Sequence, residues 1–174
     1  MTLSTLHIRD ASAGDEAFFA SLYRSTRDDL LALPADPSMI DGLIAMQHRL
    51  QVAGYRNSYP QAVYQVLERD GVAVGRLVTA AVDGAVRVVD IAVLPSARRT
   101  GVAGDALRRL QAQAQAEAAG HAITLSVRQD NVAARHLYEA LGFAVDSEDT
   151  MRLELRWHAQ TGVQPPPDSS WAGR

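Results

Sequence analysis

Val86-Arg87-Val88-Val89-Asp90-Ile91-Ala92-Val93-Leu94 is a nearly continuous run of β-branched and apolar residues that stops at Pro95. A half-exposed strand alternates apolar with polar, whereas a run like this one is a central strand covered on both faces. The segment therefore demands a sheet with helices on either side, and proline, which has no N–H, ends it. Next come the turn Ser96-Ala97-Arg98-Arg99-Thr100 and a helical pattern from Gly101 to Ala119, with Val102, Ala106, Leu107 and Leu110 facing inward. Gly120 stands where a C-terminal cap belongs.

The rest of the chain assembles around that strand. Leu3 to Arg9 alternates weakly, as a short strand does, and leads through a polar turn into a helix whose first turn suits Asp15 and Glu16. Ala17, Phe18, Leu22, Leu30 and Leu33 continue the helix until Pro34. Asp36-Pro37 is a cap followed by the favoured first-position proline. That second helix carries Ile40, Leu43, Ile44, Gln47, Leu50 and Gln51 and ends near Gly54 or Asn57. Val63 to Leu67 and Val72 to Val82 read as strands, with hairpin turns at Asp70-Gly71 and Asp83-Gly84. Ile123 to Val127 is a short buried strand, and Asp130 or Asn131 caps a helix from Val132 to Leu141 that Gly142 closes. Phe143 to Val145 and Met151 to Trp157 complete the sheet. This order predicts an α+β fold: a mixed, mostly antiparallel central sheet of about seven strands flanked by helices on both faces. One domain over residues 1–158 is expected, since 174 residues bury a core without staples. Residues 159–174, with Pro165-Pro166-Pro167 and Ser169-Ser170, are expected to form a flexible tail on which Trp171 could dock.

Several chemistries are excluded at once. There is no cysteine, hence no disulfide, thiolate ligand or thiol nucleophile. All 17 basic residues are arginine, so a Schiff-base or phosphate-loop lysine is impossible. The histidines, His7, His48, His121, His136 and His158, lack metal-ligand spacing, and no metal is expected. A net charge of -3 with scattered arginines argues against nucleic acid as a partner. No apolar run is long enough to span a membrane, and no signal-peptide layout precedes Arg9, so the default expectation is a cytoplasmic protein.

The turn before the long helix places unpaired backbone N–H groups and the cations Arg98 and Arg99 at a positive helix end, which favours anions. Small residues at Gly101, Ala103 and Gly104 let a ligand approach the backbone. By itself this is a generic helix start about as much as a phosphate cradle. A phosphate loop is ruled out by the missing Gly-Lys-Ser/Thr, and a dinucleotide fold by the glycine spacing and the late position of the strand.

Two blocks carry a closer likeness. Ile91-Ala92-Val93-x-Pro95 followed by Arg98-x-x-Gly101-x-Ala103 resembles the signature of the GNAT superfamily of acyl-CoA-dependent N-acyltransferases, whose second glycine position here holds Ala103. Leu125-Ser126-Val127-x-x-x-Asn131-x-x-Ala134-x-x-Leu137-Tyr138-Glu139-x-Leu141-Gly142-Phe143 resembles that family's second signature region. The resemblance implies acetyl-CoA or another acyl-CoA as cofactor, with its pantetheine arm along Ile91, Ala92 and Val93 and hydrogen-bonded by Asn131. Its pyrophosphate would sit on the amides of Arg99, Thr100, Gly101, Val102, Ala103 and Gly104.

Tyr138 aligns with the tyrosine that approaches the cofactor sulfur, which makes it the candidate acid. The carbonyl would be polarised by the backbone N–H of Val93 or Leu94. The base is open: Asp90 on the central strand is a candidate, but it could equally pair with Arg76 or Arg87, and Arg87 stands where some family members have a glutamate. Water or His48 are the other routes. The implied acceptor is a primary amine of a small molecule or peptide, held near His48, Arg49, Tyr55 and Arg56, where the arginines could grip a carboxylate or simply solvate a helix. The alternative is an acyl-CoA-binding regulatory module without activity. A homodimer is an admissible assembly.

Overall fold

The computed structural model describes residues 5–117 and 121–160. The chain order is β1 (Leu6–Asp10), α1 (Glu16–Arg24), α2 (Asp28–Leu31), α3 (Pro37–Ser58), β2 (Val63–Arg69), β3 (Val72–Val82) and β4 (Ala85–Val93). It continues with α4 (Val102–Ala116), β5 (Ala122–Arg128), α5 (Val132–Ala140), β6 (Ala144–Glu148) and β7 (Arg152–His158). The strands form one seven-stranded sheet in the order β1-β2-β3-β4-β5-β7-β6, antiparallel except for the β4–β5 pair. This is the mixed, mostly antiparallel α+β sheet that the segment order predicts.

The expected hairpins form where Asp70 and Gly71 (φ 53° and 76°) and Asp83 and Gly84 (φ 49° and 74°) take the left-handed conformations of a tight primed turn. The single helix expected from Ala17 to Leu33 is instead two. Ser25 Oγ donates to the Leu22 carbonyl and Thr26 Oγ1 to the Tyr23 carbonyl, both at 2.7 Å, so hydroxyls compete with the backbone and end α1. The second helix runs through Gly54 to Ser58. α4 stops at Ala116, where Glu117 turns extended (ψ 130°), short of the expected Ala119. Gly120, the expected cap, lies outside the described residues, as do the N-terminal part of the first strand and the expected tail from residue 161, including Trp171.

The sheet separates two layers. Leu77, Val88, Ile123, Leu125 and Val127 pack with Val102, Ala106 and Leu107 of α4 and with Tyr138 and Phe143. By the two-residue alternation of strands, Arg76, Val78 and their β4 partners Ala92 and Asp90 face the other way, toward α1 and α3.

β1 is tied to its surroundings by charge. Arg9 reaches Asp15 twice, at 2.8 and 2.9 Å, and Glu68 at 2.6 Å, while the Ser12 N–H donates to Asp15 at 2.7 Å. The Arg9 guanidinium, then the Ser12 amide, hold the Asp15 carboxyl well below the usual carboxylate range. A carboxylate whose folded pKa is depressed contributes stability above its unfolded pKa, near 4, and loses it as pH falls toward the folded value. Asp15→Asn is therefore expected to be less stable than the parent at pH 7, with the difference shrinking below about pH 4 in urea titrations.

Candidate functional site

A bulge opens the sheet. Val78 pairs with Asp90 and Thr79 with Val88, so Val89 is an extra residue in β4, and such a bulge bends the strand that carries it. β4 pairs with β5 only from Ala85 to Val88; beyond this point β4 stays with β3 as far as Val93, while β5 stays with β7 as far as Arg128. The two central strands thus part, and the flank of Asp90 to Val93 that would face β5 has no strand beside it. Leu94 N–H donates to the Val74 carbonyl at 2.8 Å. Polar groups alternate sides along a strand, so those of Ile91 and Val93 point into the gap, while Ala92 pairs with Arg76. Of the two carbonyl-polarising donors that the sequence suggests, Leu94 is thus committed to β3, and Val93 faces the opening.

At the far end of β4 the chain makes a 3-10 turn at Pro95–Ala97 and enters α4 through two left-handed residues, Arg99 (φ 62°) and Gly101 (φ 88°). Thr100 Oγ1 donates to the Ala97 carbonyl at 2.7 Å. The first backbone N–H to close a helical bond is that of Asp105, to Gly101 at 2.8 Å. Among the described residues, the N–H groups from Arg99 to Gly104 have no hydrogen-bond partner. This is a row of unpartnered donors at a helix end, an arrangement that favours an anion. A Cβ on buried Gly104 would meet Arg108 at 3.3 Å and Leu137 at 3.6 Å, so that glycine lets α5 approach α4. Arg69 braces the cradle from β2, donating to the Thr100 carbonyl at 2.8 Å and to its hydroxyl at 3.0 Å, with Asp105 at 3.4 Å. Sequence reasoning passes over this residue because the brace depends on strand pairing. Arg98 lies back on the strand end, its Nε donating to the Val93 carbonyl at 3.2 Å.

Across the gap, Asn131 caps α5, accepting from the Ala134 N–H at 3.2 Å and keeping its amide protons for another partner. Tyr138 is buried edge-on against Phe143, with ring centroids 5.9 Å apart. Burial and then the charge of Asp90 push its hydroxyl up to about 12, so the phenol keeps its proton at neutral pH.

On the other layer, Asp90 pairs with Arg76, of the two partners weighed, through Nη2 at 2.8 Å and Nε at 3.0 Å. Both contacts fall on Oδ2; Oδ1 has only the Tyr55 hydroxyl, at 3.5 Å. Arg87 instead holds Glu154 at 2.5 Å. Arg76 is 2 % exposed, lies over the Phe19 ring and donates to Gln51 at 3.3 Å.

The structure divides the acceptor candidates. Tyr55 reaches Asp90, and burial, then Asp90, raises its hydroxyl pKa. His48, Arg49 and Arg56 line a different space, a groove between α1 and α3. His48 stacks on Tyr23 with centroids 5.0 Å apart, and burial, then the charge of Arg76, lowers its pKa. Among the described residues no three metal-ligating side chains gather, and no helix is long and apolar enough to cross a membrane.

Three comparisons bear on this arrangement. The sequence profile of the Acetyltransferase (GNAT) family matches residues 21–143. No curated protein sequence matches the chain. Among solved structures, the PaiA N-acetyltransferase of Thermoplasma acidophilum in complex with coenzyme A superposes with a TM-score of 0.67 at 12% identity, over 88% of this chain and 99% of the other. The ribosomal-protein-S18-alanine N-acetyltransferase of Escherichia coli gives 0.60 at 20%, over 92% and 98%. YncA of Salmonella typhimurium, with its cofactor acetyl-CoA, gives 0.58 at 19%, over 94% and 99%. At these identities the likeness is one of fold.

Proposed function

From the premise that the chain belongs to the GNAT acetyltransferase family, we propose that it moves an acetyl or other short acyl group from acyl-CoA to a primary amine of a small molecule or peptide. The observation that carries this reading is the unpartnered row of N–H groups from Arg99 to Gly104 next to the gap left by β4 and β5. The row fits a pyrophosphate, and the polar groups of Ile91 and Val93 that face the gap fit an amide-bearing arm laid down like an added strand. Arg98 and Arg99 add charge, and Asn131 offers its amide to the arm. A ligand that takes the Val93 carbonyl displaces Arg98, an exposed and easily moved side chain.

When bound, acyl-CoA supplies an activated thioester, and the chain's own residues do the rest. Val93 N–H points into the gap, where it can polarise the acyl carbonyl. Tyr138 holds a proton for the departing sulfur. Asp90 is held by Arg76 through one oxygen, which leaves Oδ1 to accept a hydrogen bond from the incoming amine beside Tyr55. Its role is to orient the amine and balance the charge that develops on it, and the proton the amine gives up passes to water.

The test is direct. Because the chain has no cysteine, thiol released from acetyl-CoA in the presence of amines is read without protein background. Acetyl-CoA at a hundred times its Kd is expected to stabilise the fold by about 2.7 kcal/mol, roughly 5–10 °C for a domain of this size. If no CoA species moves the melting point, the cofactor reading is wrong. If CoA binds and no amine releases thiol, the chain is the acyl-CoA-binding regulatory module instead. Gly101→Val puts a β-branched residue at φ 88° and distorts the cradle, so acetyl-CoA affinity should fall about tenfold or more in calorimetry.

A further inference from the structure

α1 and α3 enclose a groove of about 1110 Å³ floored by β2 and β3. It is separate from the cofactor gap: none of the cradle residues, Asp90 or Tyr138 lines it. α3 stands between the two spaces, with Gln51 and Tyr55 turned to Arg76 and Asp90 and with Arg49, Val52 and Arg56 on the groove. The volume is that of a small-molecule site, and Phe19, Ile44 and Val52 give it apolar walls.

Its charges are uneven. Arg24 and Asp41, at one end, are paired with each other at 2.9 Å. Arg49 and Arg56 are exposed and, among the described residues, have neither a hydrogen bond nor an ion pair. Arg27, Arg108 and Arg128, also at helix or strand ends and surfaces, each hold a carboxylate. Among the described residues Arg98 and Arg99, at the entry to α4, are like Arg49 and Arg56 without a carboxylate. Arg49 and Arg56 are two helical turns apart on one face, close enough for their long side chains to converge on one anion. Two further polar atoms of groove-lining residues, His48 Nε2 and Tyr64 Oη, are buried without a hydrogen-bond partner among the described residues, and a polar group of a ligand could bond to them.

We propose that this groove is a second ligand site, for a small apolar molecule bearing a carboxylate. The anion lies between Arg49 and Arg56, and the apolar body lies over Phe19, Ile44 and Val52. The guanidinium fork matches a carboxylate bidentately. Glu16, the one lining carboxylate without a partner among the described residues, disfavours a second negative charge. The proposal does not depend on acyl transfer. Because Arg76 forms part of the floor and also holds Asp90, occupancy lies one side chain away from the acyl-transfer centre.

The probes are 3-phenylpropionate and octanoate, with 3-phenylpropionamide and inorganic phosphate as controls, followed by thermal shift and by NMR of the His48 ring. Either carboxylate should raise the melting temperature and move the His48 resonances, with and without saturating CoA, while the amide and phosphate do neither. Arg49→Gln with Arg56→Gln should weaken carboxylate binding at least tenfold and leave the CoA-induced shift in place. The proposal is overturned if neither carboxylate binds at millimolar concentration, if CoA abolishes the binding, or if the double variant binds as the parent does. Phosphate acting like the carboxylates would make the arginines a general anion patch and remove the apolar part of the claim.

Discussion

Tyr138→Phe is expected to lower kcat for acyl transfer by about 10²–10⁴-fold, the range over which a positioned proton donor acts, while the melting shift induced by acetyl-CoA stays nearly unchanged. The ring is buried against Phe143 on the α4 side of the sheet, and phenylalanine preserves that edge-on contact. What is lost is the hydroxyl, whose proton is kept in place by burial and by Asp90. A phenol near 12 is a poorer acid than a free thiol near 8.5, so complete transfer in water would be uphill. On the proposed reading the sulfur leaves beside this buried phenol, and burial raises a thiolate's basicity too. Single-turnover measurements separate the two roles. A Phe variant with normal chemistry but weak cofactor binding would make Tyr138 a wall of the site and remove it from the proton path.

Arg76→Met should be the most destabilising of the single changes considered. It leaves Asp90 with the Tyr55 hydroxyl and no cation, and breaking a buried pair costs about 3–5 kcal/mol. Asp90 keeps 18% of its side chain exposed, so the lower end applies, a fall in melting temperature of roughly 10 °C. Combining it with Asp90→Asn should recover part of the loss, because no naked charge remains. Strict additivity of the two changes in urea unfolding would show that the pair does not act as a unit. Both variants should also be poor catalysts, and only the double variant separates stability from chemistry.

The sequence was legible where structure is local. Asp70-Gly71 and Asp83-Gly84 mark their hairpins because the left-handed turn is a property of two adjacent residues. Gly101 and the run before Pro95 likewise mark the left-handed entry to α4 and the central strand. The break after Arg24 was less visible, since whether Ser25 and Thr26 bond back to the helix depends on what packs around them. The sorting of α3 was not visible. Tyr55 and Arg56 are neighbours in sequence, yet a helix turns them about 100° apart, one toward Asp90 and the other toward the groove. The alternatives for Asp90 were legible, but the choice of Arg76 needed the β3–β4 register, as did the Arg69 brace.

The extra residue in β4 also says how little inheritance the opening requires. With Val89 excised, Val88 and Asp90 would still face Thr79 and Val78, and no partner on β3 would change. What would go is the bend that parts β4 from β5. The bulge in β4 is thus the contribution of one residue, and the pairing of β3 with β4 on either side of it does not depend on that residue.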